Sequence, residues 1–239
     1  MRLIDVRYET PAENLACDEA LLAMCENGFQ EEILRFWTTE KYFVVLGYSA
    51  KAKSEVNLEG CQELKIPVLR RISGGGTVLQ GPGCLNYSLF LKISGSNNYR
   101  NITQTNQTVM EAHRATIESI LNTRIRQRGI TDLTVNDLKF SGNAQRRKKN
   151  FLLFHGTFLL NMDLAMIEKC LFLPQKQPSY RKKRRHLDFL INLPIAEVTI
   201  KQALQEKWDA CNKLETIPHA FIQELARQKY LQDDWNFRY

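Results

Sequence analysis

The sequence predicts an α+β fold: a mixed, largely antiparallel central sheet flanked by helices. Three observations carry this. Short β-rich runs such as ILRFW (33–37), CLNYSLFLKI (84–93) and NFLLFHGTFLLN (150–161) are separated by amphipathic stretches. Strands and helices interleave without the strict β-α-β alternation of a doubly wound parallel sheet. A length of 239 residues, 44% apolar and 25% charged, suits one well-buried core rather than two full domains.

Residues 11–26, PAENLACDEALLAMCE, predict a helix. Pro11 suits its first turn, and Leu15, Ala16, Ala20, Leu21, Ala23 and Met24 give a broad apolar face. ILRFW and YFVVLGY (42–48) read as two strands joined as a hairpin across TTEK. NLEGCQELK is a short helix. IPVLRRISGGG runs from a strand into a glycine loop, and CLNYSLFLKI is the next strand. Residues 102–121 predict a helix with Ile102, Val109, Ala112, Ile117, Ile120 and Leu121 as its apolar positions. DLTVN, LKFSGNAQRR and NFLLFHGTFLLN are three more strands, the last apolar enough to be covered on both faces. DLAMIEKCL is a helix and QKQPSYRKKRR a loop. Residues 199–214 and 219–232 are two terminal amphipathic helices.

Composition narrows the function classes. The opening MRLIDVRYE has no apolar h-region, and the longest apolar runs are too short to cross a bilayer. The chain therefore reads as cytoplasmic, without a membrane partner. Cys17, Cys25, Cys61, Cys84, Cys170 and Cys211 stand singly, with no CxxC pair and no histidine at ligand spacing. Reduced, structural thiols follow, not a zinc site or a disulfide framework. The formal charge of +7 is concentrated in two runs, residues 146–149 and 181–185. Such runs are usually solvated loops; a phosphate-rich ligand, nucleic acid or an acidic protein are the functional alternatives. No helix-turn-helix, zinc-finger or aromatic-rich RNA-binding pattern accompanies them, which argues against nucleic acid.

Three stretches interrupt the ordinary pattern. In Arg70-Arg71-Ile72-Ser73-Gly74-Gly75-Gly76-Thr77, bare backbone beside two arginines can bring several N–H groups onto one anion. A turn with no ligand would look the same from composition, and the P-loop and dinucleotide patterns are absent. In Leu138-Lys139-Phe140-Ser141-Gly142-Asn143-Ala144, a lysine stands in a strand with small residues beside it. It is either a partnered, half-buried ammonium or a surface lysine on an edge strand. In NFLLFHGTFLLN, His155-Gly156-Thr157 breaks an apolar run. That marks either close approach of a ligand or a satisfied core histidine beside a bulge.

Taken together, RRISGGGTV (70–78), CLNYSLFL (84–91), KFSGNAQ (139–145) and HGTFL (155–159) closely resemble the lipoate–protein ligase A family. ENLACDEALL, LRFW and GYSAKAKSEVN add to the match, which spans about residues 3–195. The resemblance implies the class II aminoacyl-tRNA synthetase/biotin–lipoate ligase-like fold. It implies a catalytic domain over residues 1–195, with C-terminal helices at 196–239 packed on it. It implies ATP-dependent activation of lipoate or octanoate to the acyl adenylate (lipoyl-AMP for lipoate), with Mg2+, followed by transfer to a lysine. The acceptor implied is an acidic lipoyl-domain protein, of glycine-cleavage H-like or 2-oxoacid dehydrogenase E2-like type.

By the same resemblance Lys139 is the catalytic residue, contacting the acyl carbonyl and phosphate. Arg70, Arg71, Ser73, Gly74, Gly75 and Gly76 line the lipoate and adenylate pocket. Asn86, Ser141, Gly142, Ala144, His155, Gly156 and Thr157 face the same cavity, and Asp132 helps hold the nucleotide, with magnesium bound through it. The rival within the fold is an octanoyl or lipoyl transferase without ATP. Its cysteine-dependent members carry a thiol shortly before the lysine; residues 126–135 hold Asp132 and no cysteine. Cys84 is the one thiol near a motif. The chain departs from many ligases at Gln80-Gly81, where they have His-Asp, and it is too short for their C-terminal accessory domain. Members lacking that domain often need a separate small accessory subunit to activate free lipoate.

Overall fold

The computed structural model describes residues 1–93, 95 and 97–239. In chain order its elements are β1 (Arg2–Asp5), α1 (Pro11–Glu26), β2 (Ile33–Trp37), β3 (Phe43–Leu46), α2 (Ala52–Glu55), α3 (Leu58–Glu63), β4 (Val68–Arg70), β5 (Val78–Gln80), β6 (Cys84–Lys92), α4 (Ile102–Leu121), β7 (Arg126–Arg128), β8 (Asp132–Val135), β9 (Leu138–Arg147), β10 (Phe151–Leu159), α5 (Ala165–Cys170), α6 (Glu197–Lys207), β11 (Asn212–Lys213), α7 (His219–Leu225) and α8 (Asp233–Asn236). A π-helical turn, Ala226–Tyr230, continues α7.

Eight strands form the central sheet in the order β11-β1-β2-β6-β10-β9-β8-β7. Only the β11/β1 and β1/β2 pairs are parallel; the other neighbours are antiparallel. A three-stranded sheet, β4-β3-β5, stands apart from it. This is the mixed, largely antiparallel α+β architecture that the sequence predicts.

Local chemistry explains the sharp ends of α1. The Thr10 hydroxyl accepts from Glu13 N and donates to the Glu13 carboxylate, and Pro11 occupies the first helical position. α1 is buried almost all round, on Ala12, Leu15, Ala16, Ala20, Leu21 and Leu22, and its buried set includes the polar Asn14 and Asp18. Burying each leucine stabilises the fold by about 1.5–3 kcal/mol, so the two polar residues need partners of their own.

Two elements differ from expectation. The hairpin across TTEK does not form: β2 lies between β1 and β6, while β3 belongs to the small sheet. Both strands are buried at every position, so each takes a covered place of its own. TTEK also lacks the Asn-Gly or Asp-Gly step that favours a tight hairpin. The helix expected over 199–214 stops at Lys207. Asp209 turns the chain at a φ of +48°, and Asn212 and Lys213 join the sheet edge beside β1.

Each face of the central sheet carries a core. α1, Ile222, Ala226 and Tyr230 cover Ile33, Phe90, Phe151 and Leu153 on one face. Val109, Ile117, Ile200 and Leu204, from α4 and α6, cover Leu34, Phe36, Leu89 and Phe154 on the other. The small sheet has its own cluster, with Val44, Leu46, Leu79, Cys84 and Leu159. The C-terminal segment thus divides between the two cores: Ile222, Ala226 and Tyr230 pack with α1, and Ile200 and Leu204 pack on the α4 side.

Candidate active site

Residues opposite one another on paired strands share a face. Thr157 of β10 lies opposite Asn86 and Gly142; His155 lies opposite Ser88 and Ala144; Arg35 of β2 lies opposite Ser88. A band of small and polar side chains therefore crosses the α1 side of the sheet, over β2, β6, β10 and β9.

Strict alternation would put Lys139 on the opposite face from Gly142. A register shift prevents this. Leu133 pairs with Ser141 but its neighbour Thr134 pairs with Lys139, so Phe140 is one extra residue on β9. Such a bulge re-aims the side chain beside it. Phe140 enters the α4-side core, and the Lys139 ammonium lies over Gly142, where a Cβ would stand 2.8 Å from Nζ. Lys139 Nζ is 2.7 Å from Asp132 Oδ1, with side-chain exposures of 25% and 16%. The Tyr180 hydroxyl donates to Asp132 Oδ2 at 2.7 Å. Burial, then the Asp132 charge, push the Tyr180 hydroxyl well above its ordinary pKa, so it remains a donor.

The glycine loop crosses the same face two residues further along β9. A Cβ on Gly75, whose φ is +88°, would stand 3.6 Å from Ala144 Cβ. Gly142 and Ala144 are about 6.6 Å apart along a strand, so the ammonium and the loop bracket a gap that can hold a carboxyl or phosphate group. Arg71 shapes the loop from beneath. Its Nη2 donates to the carbonyls of Gly74 (2.6 Å) and Gly76 (2.9 Å), and its Nε donates to Ser73 Oγ (3.0 Å). The N–H groups of Gly74, Gly75 and Gly76 have no hydrogen-bond acceptor among the described residues. Three unpaired donors near an ammonium are the chemistry that can hold an anion.

Ser73 Oγ lies 2.6 Å from His155 Nε2, and His155 Nδ1 lies 3.0 Å from Asp18 Oδ2. Asp18 also accepts from Arg35 Nη1 at 2.7 Å and from Ser88 Oγ. Burial raises the pKa of the Asp18 carboxyl, but the His155 hydrogen bond and the Arg35 charge outweigh it and hold it below its ordinary value. At the floor, Gln80 Nε2 donates to Thr157 Oγ1 (2.7 Å), which donates to Asn86 Oδ1 (2.6 Å).

The structure thus brings together Lys139, Asp132, Gly142, Ala144, Arg71, Ser73, Gly74, Gly75, Gly76, His155, Thr157 and Asn86. Three expected residues stand elsewhere. Arg70 is fully buried, and its guanidinium donates to the carbonyls of Gly47, Tyr48, Ala50, Trp235 and Asn236. It ties the C-terminal segment to the chain instead of lining the gap, because it is the last residue of β4 and alternates away from Arg71. Ser141 faces the α4 side with Phe158, its cross-strand partner. Gly156 faces that side too: a Cβ there would overlap Asn143 Oδ1 and crowd Tyr87. His155 reaches the band, with both ring nitrogens engaged inside the protein.

Asp18, Arg35 and Tyr180 were missed. The sequence signal was a carboxylate within an apolar helix and an arginine within ILRFW. Nothing local pairs them.

Five of the six cysteines are buried in the cores. Cys84 Sγ lies 3.2 Å from Met162 Sδ in the small-sheet core, and burial pushes its thiol up to about 12. Cys17, Cys25, Cys61 and Cys170 are buried. Cys211 adjoins β11, five strand positions from β9, on the order of 24 Å away. Among the described residues no group of three or more His, Cys, Asp or Glu could hold a metal ion, and no helix is long and apolar enough to cross a membrane.

The basic runs are partly structural. Arg147 donates to Thr105 Oγ1 and the Tyr99 carbonyl. Arg181 and Arg184 lie over the Phe189 ring at 4.5 and 5.1 Å. Lys148, Lys149, Lys182 and Lys183 point outward.

Residues 10–205 match the family model of the lipoyl protein ligase A/B catalytic domain. The chain belongs to this family. Among curated relatives, it is 29% identical to the octanoyltransferase LipM of Geobacillus kaustophilus, covering 99% of this chain and 98% of that one. It is 28% identical to lipoate–protein ligase 1 of Staphylococcus aureus, covering 95% of this chain and 70% of that one. Among solved structures it is similar to a lipoate–protein ligase A bound with ATP, at 26% identity and a TM-score of 0.81, covering 99% and 98% of the two chains. It is also similar to a bipartite lipoate protein ligase from Thermoplasma acidophilum, at 25% identity and a TM-score of 0.83, covering 99% and 95%. The family therefore contains both ligases and octanoyltransferases, and this chain is similar to each.

Proposed function

We propose that this chain is a lipoate–protein ligase that activates lipoate or octanoate with ATP and transfers the acyl group to a lysine of an acceptor protein. One observation carries the reading. Lys139, held by Asp132, and three free loop N–H groups bracket one gap, while the thiols of Cys17, Cys25, Cys61, Cys84 and Cys170 are buried in the cores.

A free carboxylate is a poor acylating agent. Its attack on the α-phosphate of ATP forms the acyl–phosphate bond and expels pyrophosphate. The free amides of Gly74, Gly75 and Gly76 offset charge on the phosphate. Attack of the acceptor lysine amine on the acyl carbonyl then forms the amide and releases AMP. Lys139 stabilises the oxyanion of that step, and Asp132 and Tyr180 hold Lys139 in place. The donor set offers one carboxylate, Asp132, so magnesium fits only as an ion bound mainly through nucleotide phosphates. It would supply charge neutralisation there.

The acceptor is an acidic lipoyl-domain protein. Lys182 and Lys183 support this, since they point outward two and three residues beyond Tyr180, next to Asp132. In this reading a separate small accessory subunit assists the chain in activating free lipoate.

A second reading, an octanoyl or lipoyl transferase, is favoured by the octanoyltransferase relatives. It needs a covalent acyl carrier in the gap. Purified chain is incubated with an acceptor domain and, in parallel, with lipoyl-AMP, with ATP and lipoate, or with an octanoylated carrier protein and no nucleotide. Transfer from lipoyl-AMP supports the ligase. Transfer from the octanoylated carrier alone replaces it with the transferase.

A further inference from the structure

We propose that Asp18 and His155 are positioning residues that shape the glycine loop from inside the sheet; this rests on the ligase reading above. Asp18 is a buried carboxylate that can only accept. Two of its partners, Arg35 Nη1 and Ser88 Oγ, fix it against the sheet. His155 Nδ1 at 3.0 Å must therefore carry a proton and donate it. In the neutral imidazole Nε2 then accepts from the Ser73 hydroxyl at 2.6 Å. Ser73 Oγ, having donated its proton, accepts from Arg71 Nε at 3.0 Å, and the other end of the same guanidinium holds the carbonyls of Gly74 and Gly76. Each member fixes the direction of the next. The last link pulls two loop carbonyls inward and leaves the N–H groups of the triglycine for the gap.

The order acid–imidazole–hydroxyl is also that of a nucleophile relay. Ser73 is not one. It has no exposed surface, and its oxygen already accepts from Arg71. The acid sits on α1, the imidazole on β10 and the hydroxyl after β4, so the relay connects three elements through side chains alone.

The relay and Lys139 act on different ends of the gap, which gives the test. Wild type, Asp18→Asn, Ser73→Ala, Ser73→Thr and the Asp18→Asn/Ser73→Ala double variant are compared for the Kd of a non-hydrolysable lipoyl-sulfamoyl-adenosine and for transfer from lipoyl-AMP. Asp18→Asn and Ser73→Ala should each weaken binding and raise KM about tenfold, with kcat held within about threefold. Ser73→Thr restores the hydroxyl and should recover most of the binding. The double variant should be no worse than the poorer single one, because both break the same chain.

Additive losses, or a fall in kcat at unchanged Kd, would overturn the proposal. Should Asp18→Asn fail to fold, the Ser73→Ala and Ser73→Thr pair reads the same contrast. If wild type binds the analogue but transfers nothing, the ligase reading fails and the binding series still tests the relay. If wild type does not bind at all, 15N spectra of His155 decide. A proton on Nδ1 with a bare Nε2 supports the relay, and a proton on Nε2 rejects it.

Discussion

Lys139 Nζ lies 2.7 Å from Asp132 Oδ1 and directly over Gly142, on the face that a one-residue bulge at Phe140 opens to it. The pair joins two adjacent strands, and its position explains why the third residue after the lysine has no side chain.

Lys139→Ala is therefore expected to lower the rate of acyl transfer by roughly two to three decades, the usual cost of one oxyanion donor. The side chain is a quarter exposed, so the fold should persist. Single-turnover transfer from lipoyl-AMP, alongside near-UV circular dichroism, checks both halves. Lys139→Arg should not rescue, because a planar fork cannot replace a compact ammonium over Gly142.

Gly142→Ala and Gly156→Ala separate function from packing. At Gly142 the new methyl meets the flexible tip of Lys139 and stands 3.7 Å from Asp132 Oδ1, so stability should change by less than about 1 kcal/mol while transfer falls at least tenfold. At Gly156 it meets Asn143 and Tyr87, whose hydroxyl donates to Asn143 Oδ1 at 2.6 Å. Overpacking there should cost about 1–3 kcal/mol. Urea titrations and transfer rates on the two variants should give opposite rankings.

Truncation after Leu231 removes the Trp235 and Asn236 carbonyls that accept from Arg70. A buried guanidinium then loses partners, and each charged hydrogen bond contributes about 1.5–3 kcal/mol. A stability loss on the order of 3 kcal/mol, read as a lower urea midpoint, is expected. An unchanged midpoint would show that the tail is not holding Arg70.

Cys84→Ala should leave transfer from lipoyl-AMP intact, since the thiol is buried against Met162 and pushed up to about 12. Loss of transfer with retained thermal stability would restore the thioester mechanism.

His113 sets a pH dependence. Burial, then the Lys207 charge, lower its pKa to about 3, and Trp208 Nε1 donates to its Nε2 at 3.0 Å. The unfolded value is about 6.5. The folded value is the lower one, so the unfolded state takes up the proton first as pH falls. The His113 contribution is complete above about pH 6.5 and declines toward pH 3. It should cost about 2 kcal/mol by pH 5, at no more than 1.4 kcal/mol per pH unit. Denaturant midpoints measured from pH 7.5 to 5 should fall in wild type and flatten in His113→Gln.

Much of this protein was legible in its sequence. Helix 11–26, helix 102–121, and strands 33–37 and 138–147 have the bounds their periodicity and caps predict, because those signals are local. The residue types of the site were legible too, since a triglycine, a lysine among small residues and a histidine in an apolar run are unusual wherever they occur. Tertiary structure alone decided direction and partnership. One extra residue on a strand reverses every side chain before it, and that shift aims Lys139 at the gap while Ser141 and Gly156 turn away. Asp18 and His155 are separated by 137 positions, and Arg70 by 166 from Asn236. Such pairs follow from how the sheet and α1 stack, which no short stretch of sequence encodes.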